Sequence, residues 1–434
     1  MPYKYLKKTI TPAAVGAMMA SSMLISAVLT PAAFAGQNEE PQTRQLFAMT
    51  TVMNLKAYGE DAGSALDEAE EKIRSLDSLL STGTKGSEVW QINRDGGGTL
   101  SDDTAALTDM SLQLYQETDG AFDFTIYPIM KLWGFTEFFG ESGDESESGT
   151  VDTSRHEAAA QTEAETQTEA AAQSSNAGQT EAAAQAPVSG QTEAAAQAPN
   201  AGQTEDAADA LSSSEHLISH VPTKAEIEAL LPLVDSSRVT YDPKTKKLSL
   251  PSGVQIDFGG IAKGYTSQKV MDIFQKHHLT GGLADLGGNI QVTGNKPDGS
   301  PWRVGIEDPA DTSALLGILT LAEDSTVITS GGYERYLVDQ DGRRYPHIID
   351  PSTGYPVEND LSSVSIICKD GALADGLSTS LCVMGKEKAI SFWKAHNDQF
   401  DMVLFDTDQT ITISEGLKDS FLSDRYKIET VSAD

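Results

Sequence analysis

Cysteine is nearly absent from this chain of 434 residues: there are only Cys368 and Cys382. Two thiols cannot build a disulfide framework, and no Cys/His cluster has the spacing of a zinc site. Both cysteines fall on separate expected core elements, where buried free thiols are the ordinary state; a bridge is the alternative that an exported chain would permit. Basic residues are also scarce, with 31 Lys and Arg against 64 Asp and Glu and a net charge of −33. Nucleic-acid binding needs cations to neutralise phosphates, so this balance argues against it. Long apolar runs are missing after the N-terminus, so no later segment is expected to cross a membrane.

What the N-terminus does contain is a layout of its own. Lys4, Lys7 and Lys8 precede an apolar stretch from Ala13 to Leu29, and Ala33-Phe34-Ala35 offers a small-x-small cleavage pattern before the polar Gln37. This reads as a signal peptide over residues 1–35, with an uncleaved membrane anchor as the alternative. The expectation is an exported, extracytoplasmic protein, secreted or membrane-associated.

Residues 141–216 nearly lack aromatics and are rich in Ala, Gln, Thr, Glu and Ser. A repeat of about twelve residues starts at Gly178 and Gly190, and a third copy decays after Gly202. Such a composition cannot bury enough apolar surface to offset the entropy of ordering, so it reads as a disordered insert. It carries about fifteen acidic residues against Arg155 alone, close to half of the net charge. The remaining blocks, 42–140 and 217–434, form the expected folded domain.

Within these blocks, Leu46–Tyr58 reads as one strand-like run. Ala65, Ala69, Ile73, Leu76 and Leu80 share a helical face over 62–80. Further helices are expected over 103–118, over 224–231 behind a capping box at Thr223 and Glu226, over 264–277 and over 373–384. Short strands are expected near 239–241, 247–250, 254–257, 282–285, 289–293, 302–306, 314–321, 325–330, 335–338 and 363–367. Strands and helices mixed without regular βα alternation imply an α+β fold.

Four segments carry candidate chemistry. Asp257-Phe258-Gly259-Gly260-Ile261-Ala262-Lys263-Gly264 places paired glycines before a helix, where backbone approaches a ligand closely and helix amides attract phosphate. A plain strand-to-helix turn explains it equally well. Asp285-Leu286-Gly287-Gly288-Asn289 reads first as a hairpin with a bulge. His347-Ile348-Ile349-Asp350-Pro351-Ser352-Thr353-Gly354 combines turn chemistry with a histidine that is either structural or an acid/base group. Asp375, Ser378 and Thr379 share one helical face and present hard oxygens suited to Mg²⁺, unless Asp375 is an N-terminal cap.

Taken in order, these segments resemble the ApbE-type FAD:protein FMN transferases. Thr118-Asp119-Gly120-Ala121-Phe122-Asp123-Phe124-Thr125 and Lys131-Leu132-Trp133-Gly134-Phe135 are similar to family segments as well. The resemblance implies a T-fold-related domain. It implies flavin-nucleotide contacts at Met49, Ala121, Phe122, Asp123, Asp257, Lys263 and Ile349. It implies a Mg²⁺ site from Asp375, Ser378, Thr379 and the Gly260 carbonyl, with His347, Asp375 and Lys263 as catalytic groups. The implied reaction moves FMN from FAD onto a Ser or Thr hydroxyl of a separate acceptor protein, an outward-facing membrane redox subunit, and releases AMP. Two departures stand out. Gly83 replaces a usual Tyr or Asn, and Met49-Thr50-Thr51 replaces a usual Met-Gly-Thr. Gly83 keeps FAD hydrolysis to FMN and AMP open as a second reading, and a flavin-binding protein without enzymatic activity is a third.

Overall fold

The computed structural model describes residues 40–138, 218, 220–321 and 324–434. The signal segment and the insert, 1–35 and 141–216, lie outside the described residues.

Nine strands form the main sheet: β1 (Gln42–Ala48), β2 (Thr51–Tyr58), β3 (Gly281–Leu286), β4 (Asn289–Gly294), β5 (Ser325–Gly331), β6 (Leu361–Cys368), β7 (Asp401–Asp406), β8 (Thr410–Ser414) and β9 (Lys427–Val431). Their spatial order equals their chain order. Every neighbouring pair is antiparallel except the last, β8 with β9. The β2–β3 pair closes directly even though more than two hundred residues separate the two strands. The α+β expectation holds.

Alternation along the strands builds two faces. Leu283, Val292 and Val327 point to one side and Ala284, Leu286 and Ile328 to the other. The first side is covered by a smaller sheet of Trp302–Asp308, Asp311–Leu321 and Phe421–Leu422, packed through Trp302, Leu316, Leu319 and Phe421. The second side is covered by helices. These are α1 (Ala62–Leu80), α2 (Glu88–Asp95), α3 (Asp102–Glu117), α4 (Tyr127–Trp133), α5 (Phe135–Phe138), α6 (Lys224–Leu230), α7 (Ala262–Lys276), α8 (Gly371–Met384) and α9 (Lys386–Ala395). Of these, α1, α7, α8 and α9 lie against the sheet. Ala65, Ala69 and Ile73 of α1 are wholly buried, as their spacing predicts.

The single run expected over 46–58 is instead a hairpin. Ala48 pairs with Thr51, so Met49 and Thr50 form a two-residue turn, both at positive φ, +48° and +58°. Such turns favour Asn-Gly, and the usual turn signal is missing here. Each left-handed non-glycine residue costs about 1–2 kcal/mol. The strand expected at 254–257 is also absent, leaving one bridge, Gln255 to Ile126. The capping box on α6 forms as expected, with Thr223 Oγ1 accepting from Glu226 N and Glu226 accepting from Thr223 N.

Candidate active site

The site forms where α7 and α8 cross against the edge of the helical layer. Glycines make the crossing possible. A Cβ on Gly264 would lie 2.1 Å from Gly371 O and 2.6 Å from Asp375 Cβ, so no larger residue fits without separating the helices. Asp375 does not cap α8; Asp370 does, accepting from Leu373 N at 3.0 Å. Asp375 lies a turn further in, buried, and its Oδ2 accepts from Gly264 N at 2.8 Å. Burial raises its pKa, while Lys263, Gly264 and Asn289 hold it down.

That contact changes the reading of the first glycine turn. Gly264 N–H serves Asp375, Gly259 N–H serves Asp257 Oδ1 at 2.7 Å, and the N–H groups of Ile261 and Ala262 both return to Phe258 O. Most of the amides at this helix start are therefore committed within the protein. What the turn brings to the cleft is the Gly260 backbone and the Lys263 side chain. A Cβ on Gly260 would lie 3.1 Å from the Phe122 ring and 3.9 Å from Thr379 Oγ1, so Phe122, Gly260 and Thr379 meet at one place. Ser378 points elsewhere: its hydroxyl donates to Asp375 O at 2.9 Å and pairs with Ser330 Oγ at 2.7 Å.

The second glycine turn, Gly287-Gly288, is a two-residue hairpin between β3 and β4 without a bulge. It delivers Asn289 to the same place. Lys263 Nζ donates to Asn289 Oδ1 over a long 3.4 Å. The buried Asn289 Nδ2 makes no hydrogen bond of ordinary geometry, yet it stands close enough to Asp375 to favour the carboxylate. Asp285, on the same hairpin, is buried and its pKa is raised by that burial, against the pull of Gly288 N–H and Lys263.

His347 comes from a separate segment and lies near enough to Lys263 to feel its charge. Its backbone N and its Nδ1 both reach Arg335 O, each at 3.1 Å. A carbonyl only accepts, so Nδ1 carries the hydrogen and Nε2 keeps the lone pair. Burial, Arg335 and Lys263 push its pKa down to about 3, and the ring is neutral at physiological pH. The following Asp350–Gly354 turn docks on the α4 segment, where Trp133 Nε1 donates to Gly354 O at 2.9 Å. Ile349 is a core residue beside Trp133 and Tyr345.

Asp123 has a structural task in this geometry. Its carboxylate accepts from Thr125 N, Thr125 Oγ1, Ser236 N and Ser236 Oγ, tying together segments on either side of the insert. Asp257 joins the same seam through its N–H to Phe124 O at 2.8 Å. Ala121 is half-buried next to Phe122, and Met49 is held by its N–H to Asp77 Oδ1 at 2.9 Å.

Two residues at this site went unnoticed in the sequence. Glu334 is exposed by surface area, yet desolvation by the neighbouring protein, with the charges of Glu307 and Asp375, pushes its carboxyl up to about 7 against the pull of Lys263 and Arg335. Arg335, its neighbour, is half-buried, and burial lowers its pKa. The only local signal for either was Gly331-Gly332 at the end of β5. A separate cavity of about 280 Å³ lies against the same loop, lined by Gly332, Tyr333, Ile348 and Cys382 among others. Both cysteines are free thiols, and burial pushes Cys368 up to about 12 and Cys382 in the same direction.

Among the described residues, no three His, Cys, Asp or Glu side chains gather as a metal site. A cation here would rely on one carboxylate with hydroxyl and carbonyl oxygens. The ApbE family model matches residues 49–197 and 199–404, which takes in each of these segments. The chain belongs to the ApbE family. It is 36% identical to a FAD:protein FMN transferase of Klebsiella pneumoniae over 212 residues, 48% of this chain and 64% of that protein. A FAD:protein FMN transferase of Treponema pallidum is 37% identical over 185 residues, 41% of this chain and 50% of that one. The chain thus spans half to two thirds of the length of these relatives. An Escherichia coli relative with the same name is 25% identical over 372 residues, 82% of this chain and 85% of its own. Among solved structures, the ApbE protein of Thermotoga maritima superposes with a TM-score of 0.64 at 25% identity, covering 87% of this chain and 98% of that one. The flavinyl transferase ApbE of Pseudomonas stutzeri gives 0.62 at 25% identity, with 88% and 97% covered. The candidate site lies where α7, α8, the β3–β4 hairpin and the loop after β5 come together.

Proposed function

We propose that the chain transfers the FMN half of FAD to a hydroxyl of an acceptor protein and releases AMP. The observation that supports the reading beyond family membership is that four separate segments bring Lys263 to Asn289, Gly264 to Asp375 and Gly260 to Thr379, with Lys263 also acting on His347.

The donor set fits Mg²⁺. Asp375, the Thr379 hydroxyl and the Gly260 carbonyl are hard oxygens, and a single carboxylate leaves room for water and substrate phosphates. Bound there, Mg²⁺ would neutralise charge on the pyrophosphate oxygens. In the transfer, an acceptor oxygen attacks the phosphorus of the FMN half. A new O–P bond forms and the P–O bond to AMP breaks. His347 Nε2 is the neutral lone pair placed to take the hydroxyl proton. Lys263 stabilises the anionic charge that builds in the transition state. Phe122, against Gly260, supplies an apolar wall for the flavin nucleotide.

The acceptor we favour is an outward-facing membrane redox protein, a reading that the signal-like N-terminal sequence supports. No helix among the described residues is long and apolar enough to cross a membrane. The test is incubation of the purified protein with FAD and Mg²⁺, with and without candidate acceptors. Acceptor-dependent AMP release and an acceptor mass gain of one FMN are expected. AMP release indifferent to the acceptor would instead identify a FAD pyrophosphatase, and FAD bound without AMP release would identify a carrier.

A further inference from the structure

Arg335 bridges the β1–β2 turn and His347. Its backbone carbonyl receives two hydrogens from His347, the main-chain N–H and Nδ1–H, each at 3.1 Å. Its guanidinium reaches across to the β1–β2 turn, where Nη1 donates to Thr50 Oγ1 at 3.3 Å and Nη2 to Thr50 O at 3.4 Å. Residues 50 and 335 are 285 positions apart in the chain, so this contact exists only in the folded protein.

The turn it grips is unusual. Met49 and Thr50 are both left-handed, and neither is the glycine or asparagine that such a turn prefers. The backbone conformation is held from outside instead: Asp77 takes the Met49 N–H, and Arg335 takes the Thr50 carbonyl and hydroxyl. Thr50 Oγ1 also donates to Met49 O at 2.7 Å, which orients its lone pairs toward the guanidinium. A glycine at position 50 would relax the turn but could not provide that oxygen. Backbone strain held in place by a residue distant in the chain is a pattern of functional sites.

We propose that Arg335 is a positioning residue that couples the Met49–Thr50 turn to the aim of His347, so that a flavin nucleotide seated against the turn also fixes the base. This rests on the transfer reading for the site. The two Arg–Thr50 bonds are long, so the coupling can tighten or loosen with small movements. The coupling runs through Arg335, whose side chain meets Thr50 while its carbonyl accepts from His347.

The experiment reads FAD binding and the His347 ring separately from turnover, so the transfer reading can fail without deciding this one. In the full protein, FAD affinity is followed by flavin fluorescence and the His347 tautomer by nitrogen-15 NMR. Arg335→Ala is expected to weaken FAD about 10-fold and to replace the single Nδ1–H tautomer with a mixture. Arg335→Lys should restore the tautomer and most of the affinity. Thr50→Gly should shift both readouts in the same direction while its Tm stays level or rises. A Thr50→Gly protein with unchanged FAD affinity, or an Arg335→Ala protein that keeps a single tautomer, overturns the proposal. Should Arg335→Ala fail to fold, Thr50→Gly and Arg335→Lys carry the test.

Discussion

Asp375 shows how much one side chain contributes at the residue scale. It is buried, its pKa is raised by desolvation, and its strongest fixed partner is an amide. Asp375→Asn removes a desolvated charge and keeps the shape. Activity should fall about 1000-fold, equivalent to roughly 4 kcal/mol of transition-state stabilisation, while Tm stays level or rises. A parallel loss of both would make Asp375 a structural residue. Glu334 predicts a pH effect of opposite kind to an ordinary paired carboxylate. Its folded pKa, about 7, lies above the unfolded value near 4.5. Its neutral form is favoured in the fold, so its contribution is fully present below pH 4.5 and is lost as pH rises through about 7. Thermal melts of the ligand-free protein should show Glu334→Gln declining less between pH 5 and 8 than the parent. Identical slopes would remove Glu334 from the account. Sequence alone marked Asp375 because its helical spacing to Ser378 and Thr379 is a local pattern. It left Glu334 and Arg335 unmarked because their meaning comes from Lys263, His347 and Thr50, all distant in the chain.

At the scale of elements, the site depends on the α7–α8 crossing. Gly264 and Gly371 meet so closely that a Cβ on either would collide with the other's carbonyl oxygen. Gly264→Ala should cost about 3 kcal/mol through forced separation of the helices. It should also reduce activity more than stability, because the displaced residue is Asp375. Denaturant melts with a Mg²⁺-dependence assay on the same samples check this; a stable variant with full activity would show that the crossing is not what places the carboxylate. Element types were widely legible. α1 appears over the predicted range, and α3, α7 and α8 shift by one or two residues. The β1–β2 hairpin was not legible, since Met-Thr carries no turn signal and the turn conformation is imposed by Asp77 and Arg335. The strand expected at 254–257 failed for a related reason: those apolar residues, Val254 and Ile256, pack into the helical core instead of pairing.

At the scale of the whole molecule, described residues on either side of the low-complexity segment meet in one satellite core. Phe135 precedes it and Ile218 follows it, and both pack in the cluster around Trp133 and Tyr345. Ile218 is further held by its N–H to Val338 O at 2.9 Å. Replacing 141–216 with about ten Gly and Ser residues should therefore preserve the fold and FAD-dependent AMP release. Three halvings of loop length would raise stability by about 2 kcal/mol at most. Loss of acceptor labelling with AMP release intact would assign the segment to acceptor docking. Collapse of the melt would mean that it supports the domain.

By itself the sequence determined the fold class, most helices, the family and the list of segments that carry chemistry, because periodicity, caps and glycine turns act within a few residues. Only the tertiary structure decided which of those groups act together. Asp123 is spent on Ser236, Ser378 on Ser330, and most amides of the glycine turn on the protein itself. Each hydrogen-bonding group can satisfy few partners, and folding, not local pattern, decides which ones it meets.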